Sequence, residues 1–226
     1  MKQTAKTAFL ATIPVLTGYL VLGFGFGILV KSAGYSIFLA FCMSLFIYAG
    51  SMQYIAVGLF TSGASLITMA LTTLMVNARH LFYGISMLSR YHDMGGCKPY
   101  LIFSLTDETY SLLCHDHPQI APEEQKRYNF LVSLFDHVYW VAGTVLGAVA
   151  GTVLHFQSEG IDFALTALFL TVFVEQWLSH KDHVPALIGV GASALCLALF
   201  GAEQFLIPAM FFIAIFLCLY REEGQK

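Results

Sequence analysis

At 226 residues, with 58% apolar residues, 20 Phe and only 11% charged residues, and with a mean hydropathy of +0.72, the chain is too apolar for a soluble domain and reads as an integral membrane protein. Its formal net charge of −3 is small and spread over loops, which speaks against nucleic-acid binding or a basic membrane-surface arm. The five cysteines, Cys42, Cys97, Cys114, Cys196 and Cys218, are scattered without a CxxC pair, the pattern of packing thiols rather than of a disulfide or zinc framework.

A bilayer core takes about 20 apolar residues of helix, so stretches 8–30, 35–60, 64–88, 130–154, 163–178, 184–200 and 205–220 predict about seven spans. No alternation of the kind a barrel strand needs is present, and open backbone cannot face lipid. The expected fold is therefore all-α: one polytopic transmembrane domain over 1–226, with broken or re-entrant helices. Lys2 and Lys6 precede the first apolar run, but that run is too long for a cleaved signal and is expected to stay in the mature protein.

The first span, "IPVLTGYLVLGFGFGILV", carries Pro14, then Gly18, Gly23, Gly25 and Gly27. Proline removes a helix donor and glycine permits non-helical backbone, so the span can unwind where it faces a cavity, or its small residues can serve close packing. In the second, "FIYAGSMQYIAVG" sets Gly50, Ser51 and Gln53 near the middle. They serve either as interhelical glue or as a break that presents amides to a polar solute. The third contains "NARH": Asn77, Arg79 and His80 in an apolar run. An arginine there costs roughly 3 kcal/mol on insertion scales, so it must snorkel to the interface or face protein and find a carboxylate. Helical spacing sets Asn77 and His80 on one side of the helix, with Arg79 turned away.

The polar interval 90–129 follows. Within it "YLIFSLTDETYSLLC" holds Asp107 and Glu108, and is too short and too charged for an ordinary span. It reads as a cytoplasmic helix, a re-entrant segment or a crossing buried by protein. Asp107 and Glu108 are the expected counter-ions of Arg79, with Asp136 and Glu175 as rivals. The fourth span repeats glycine at 143, 147 and 151, a small face for helix packing and a docking surface for a partner. Loop charge puts Lys181, Arg221 and Lys226, and hence the C-terminus, in the cytoplasm whichever way the middle segment runs.

A Pro- and Gly-bearing first span, then "YAGSMQ", "NARHLFYG" and "SLTDETY" in this order and spacing, resembles the AzlC-type branched-chain amino-acid permease family. The likeness covers about residues 8–180. It implies export of L-valine and similar amino acids across the bacterial inner membrane, beside a small four-span AzlD-type subunit and without a cofactor. A zwitterion then needs positive potential for its carboxylate and acceptors for its ammonium. Gly23, Gly25, Gly50, Ser51, Gln53, Asn77 and His80 are the candidate substrate-binding positions. Arg79, His80, Asp107 and Glu108 are the candidates for ion pairing and proton coupling.

Other classes fit less well. The chain has no HExxH, GxGD or GxSxG, so an intramembrane hydrolase is not supported. A metal transporter draws on "CHDHP", Cys114 to His117, with His92 and Asp93 nearby, yet that cluster lies in a polar loop where solvation accounts for it. A channel would use the same buried polar residues without alternating access.

Overall fold

A computed structural model describes residues 2–114, 117, 119–153, 170, 173–174, 177–178, 182–201 and 205–223, among which every regular element is helical. The chain divides into two compact units, Met1–Leu165 and Thr166–Lys226. The expected fifth span, including Glu175, falls largely outside the described residues, as do His115 and Asp116 of the loop cluster and Lys181.

In the first unit, α1 (Lys2–Ser32) runs without interruption through Pro14 and all of its glycines. Of the two outcomes left open for Gly18 to Gly27, unwinding does not occur and close packing does, against α8 (Gln125–Val153). A Cβ on Gly23 would stand 2.9 Å from the Trp140 carbonyl oxygen and 3.0 Å from the Thr144 nitrogen, and one on Gly143 would stand 2.9 Å from the carbonyl oxygens of Tyr19 and Leu20. On Gly27 and Gly147 an added Cβ would overlap the backbone of Thr144 and Phe24, respectively. Glycines on both helices thus bring two backbones together along a seam, as small residues do where lipid supplies no hydrophobic drive. The repeat on α8, read as a packing face, packs against α1 of its own chain.

The elements between α1 and α8 are short. After a turn at Gly34 (φ +85°), the second expected span is divided into α2 (Ile37–Phe46), capped by Ser36, and α3 (Gly50–Thr61). Between them Tyr48 takes φ +45°, a left-handed conformation unusual for a side chain of this size. The third span, expected to be continuous, is also divided: α4 (Leu66–Val76) ends on Asn77 and α5 (Arg79–Met87) begins two residues later. The middle segment forms two further pieces, α6 (Lys98–Phe103) and α7 (Asp107–Leu113), with Thr106 capping α7 by accepting from the Thr109 amide. Below these breaks Met87, Tyr91, Leu101, Leu113, Tyr128 and Val132 pack into an apolar core.

Among the described residues, two helical stretches can each cross a membrane by length and composition, Gln3–Ser32 and Pro122–Val153; Ile37–Phe46, Leu66–Val76 and Val184–Phe200 are apolar but shorter. In the second unit α9 (Val184–Phe200) contacts α10 (Leu206–Glu223). Asp182 anchors that pair, accepting from the Val184 amide and from the Tyr220 hydroxyl, each at 3.0 Å.

Candidate functional site

Three chain breaks, at 47–49, 77–78 and 104–106, contribute to one polar centre. Arg79, the first residue of α5, places Nη1 2.5 Å from Oδ2 of Asp107, the first residue of α7. Its Nη2 donates to the Ser51 hydroxyl in the first turn of α3 at 3.1 Å. The counter-ion expected for Arg79 is thus Asp107. Its neighbour Glu108 turns to α1, where Tyr19 donates to Oε2 at 2.7 Å. Arg79 and Asp107 are only partly enclosed, their side chains 38% and 27% exposed.

Asn77 closes α4. Its carbonyl oxygen accepts from the His80 amide at 2.9 Å and lies 3.1 Å from His80 Nδ1. The expected pairing of these residues on one side of a helix is therefore realised as a turn across a break. Asn77 Oδ1, Arg79 Nε and Asp107 Oδ1 are buried without a hydrogen-bond partner among the described residues. The interrupted helices thus leave one donor and two acceptors unpaired, on the Arg79–Asp107 pair and at the adjoining break.

The remaining candidates sit around an aromatic core. Gly50 opens α3 under the Trp140 indole, 3.2 Å from where its Cβ would be. Gln53, fully buried, accepts from Trp140 Nε1 at 3.0 Å. Gly25 leaves room for the Tyr54 hydroxyl, which donates to the Leu22 carbonyl at 2.6 Å and ties α3 to α1. Gly23 belongs to the seam. The structure therefore gathers Ser51, Arg79 and Asp107, places Asn77 and His80 at the adjoining break, and distributes Gly23, Gly25 and Gln53 among helix contacts.

A second polar group escaped the sequence reading. Asp136, a rival counter-ion for Arg79 in the sequence, instead lies fully buried on α8, eleven residues past its start at Gln125. It accepts from Thr109 Oγ1 at 2.9 Å. Thr109 is joined to Thr106 (3.2 Å), and Thr106 to the Tyr19 hydroxyl (2.6 Å). The signal available was the spacing of Thr106 and Thr109 around Asp107, a cap sequence. Tyr19 carried none. Nearby, the Tyr48 ring lies 4.2 Å from that of His137, whose Nδ1 is 3.2 Å from the Tyr100 hydroxyl. In the loop, His92 pairs with Asp93 on the surface and His117 Nδ1 accepts from the Gln119 amide. No group of three metal-ligating side chains occurs among the described residues.

Interrupted helices that present polar groups inside an apolar helical protein define a membrane protein with an internal polar site, because irregular backbone at that depth is tolerated only where protein or a cavity satisfies it. The chain belongs to the AzlC protein family, whose model matches residues 14–154. It is 42% identical to the branched-chain amino acid transport protein AzlC of Bacillus subtilis, over 98% of this chain and 87% of that protein. An uncharacterized membrane protein of Haemophilus influenzae is also 42% identical, over 96% of this chain and 88% of its own length. The inner membrane protein YgaZ of Escherichia coli is 28% identical, over 87% of this chain and 80% of its own. No solved structure matches.

Proposed function

We propose that this protein is the large subunit of a secondary transporter that exports branched-chain amino acids such as L-valine across the bacterial inner membrane. In this reading it works with a small four-span AzlD-type subunit, couples export to protons and keeps its C-terminus in the cytoplasm. The family and the name of the Bacillus subtilis relative support the substrate class. The observation that carries the reading is the set of unused polar atoms where the breaks meet.

A zwitterion asks for a donor and acceptors a short distance apart. Arg79 Nε, with the amide ends of α3 and α5, offers positive potential to the carboxylate. Asn77 Oδ1 and Asp107 Oδ1 offer acceptors to the ammonium. Arg79 holds Ser51 and Asp107 in place as well as facing the solute, so its loss removes both the anchor and the charge. Aliphatic selectivity then rests on the apolar walls, which separate neighbouring side chains by about 1–3 kcal/mol per methylene.

Exchange of labelled L-valine by the two-subunit complex in proteoliposomes tests the reading. Saturable counterflow, with accumulation under an imposed pH gradient, is expected. Absence of exchange would refute the transporter, and exchange that ignores the gradient would refute the proton role.

A further inference from the structure

Four oxygen–oxygen contacts link Glu108 to Asp136 in an unbroken row. Glu108 Oε2 meets the Tyr19 hydroxyl at 2.7 Å, Tyr19 meets Thr106 Oγ1 at 2.6 Å, Thr106 meets Thr109 Oγ1 at 3.2 Å, and Thr109 meets Asp136 Oδ2 at 2.9 Å. The row joins α1, α7 and α8, and its interior is sealed: Tyr19 is 4% exposed, Thr109 and Asp136 fully buried. Among the described residues neither Glu108 nor Asp136 has a cation within ion-pair distance; the arginine at this site is taken by Asp107.

Counting hydrogens gives the row a direction. Tyr19, Thr106 and Thr109 bring one hydroxyl hydrogen each, so with both carboxyls ionised three hydrogens serve four contacts. One contact then opposes two lone pairs inside protein, an arrangement whose cost falls in full on the folded state. A single added proton fills the row, and it can do so in two mirror-image ways. With the proton on Glu108, every hydroxyl donates toward Asp136; with the proton on Asp136, every hydroxyl donates toward Glu108.

We propose that Glu108, Tyr19, Thr106, Thr109 and Asp136 form a one-proton relay that couples the polar centre to the interior of α8. The inference rests on the proton-coupled transporter reading above. In one transfer the Glu108 proton passes to Tyr19 oxygen as Tyr19's own passes to Thr106, Thr106's to Thr109 and Thr109's to Asp136. Four O–H bonds break, four form, and the negative charge moves from Asp136 to Glu108. Glu108 adjoins Asp107 in the chain, so an ammonium held at Asp107 and Asn77 stabilises the charge on Glu108 and drives the proton to Asp136. When the solute departs, Glu108 takes a replacement proton from the partly exposed polar centre, and the proton delivered to Asp136 leaves from that carboxyl, whose Oδ1 has no hydrogen-bond partner among the described residues. One proton is thereby carried per solute without the two touching.

Other titratable groups around Asp136 are Tyr48 from the α2–α3 break, Tyr100 from α6, and Tyr128, His137 and Tyr139 from α8 itself. Tyr48 also lies against Tyr19 and near both carboxyls, a side branch that adds its own hydroxyl hydrogen, and Glu108 is further faced by Asp107 from α7 and Tyr83 from α5. Tyr139 instead meets Thr12 at 3.1 Å, and His137 meets Tyr100.

The test uses the two-subunit complex in proteoliposomes with the membrane potential clamped, where a gradient of about one pH unit supports up to about tenfold valine accumulation for a one-proton cycle. Asp136→Asn and Thr109→Val should lose that accumulation while still exchanging labelled L-valine at equal pH, and Thr109→Ser, which restores the hydroxyl, should accumulate as the wild type does. Accumulation that survives in Thr109→Val or Asp136→Asn would overturn the relay. Equal failure of Thr109→Ser and Thr109→Val would also overturn it, because the hydroxyl would then not be what matters. A wild-type complex that exchanges no valine would instead refute the transporter reading on which the relay rests. If Asp136→Asn does not reach the membrane, the Thr109 pair decides.

Discussion

The α1–α8 seam and the broken helices between them use glycine for opposite ends. Along the seam, Gly23 and Gly27 face Gly143 and Gly147, so the helices stay whole and their backbones touch. At the α2–α3 break, Gly50 follows Tyr48 and precedes Ser51, and the chain stops being helical for three residues. Flexibility alone did not decide either outcome. A glycine set at helical spacing with a matching glycine across the interface lets two backbones touch, whereas Gly50, itself helical, receives the Trp140 indole just after a break whose left-handed residue is Tyr48.

The comparison is broken most severely by filling the seam. Gly147→Leu must displace the Phe24 backbone, and because backbone cannot rotate aside the expected loss is at or above about 3 kcal/mol. A collapse of folded yield in detergent, read by size-exclusion chromatography, checks it. Next comes the broken side. Arg79→Ala leaves Asp107 without its cation; with Asp107 27% exposed, the penalty should fall below the roughly 3–5 kcal/mol of a sealed pair, near about 1–2 kcal/mol. Valine exchange should be abolished, and adding Asp107→Ala should recover thermal stability without recovering exchange.

Smaller effects sharpen the contrast. Trp140→Phe keeps the ring but strands Gln53 Oε1, which should cost about 1–2 kcal/mol and lower the melting temperature measurably. At the bottom lies Gly18→Ala. No atom stands within 4 Å of its Cβ position, so the better helix former should gain about 0.5–1 kcal/mol, in contrast with its neighbours in the same helix. A destabilised Gly18→Ala protein would show that position 18 itself is covered, against the open space around it in the structure.

The legible parts of the fold were those whose cause lies within a few residues. The packing face of α8 follows from local spacing, and the demand of Arg79 for a carboxylate follows from the cost of an unpaired charge in apolar surroundings. The continuity of α1 was not legible, because the atoms that close Gly23 and Gly27 belong to Thr144 and its neighbours, far along the chain. The break at Asn77 was hidden for a different reason: an apolar run of span length looks continuous whether or not it is. The partner of Asp136 was not legible, because Thr109 comes from another helix and the buried stretch of α8 already includes Tyr128 and Asn129. Glu108 could be named but not assigned, since its partner Tyr19 lies 89 residues away in a helix whose spacing gives no sign of it.

The seam also sets a timetable. Synthesis delivers α1 first, and the glycines that receive it on α8 follow only after about a hundred further residues, roughly 5–20 s at ordinary rates of elongation. For that interval α1 waits with an unfilled stripe, while α2 to α7 are made. When α8 arrives and the clasp closes, those pieces are already inside the chain's longest loop. The seam therefore closes after α2 to α7 have been made and before α9 and α10 exist.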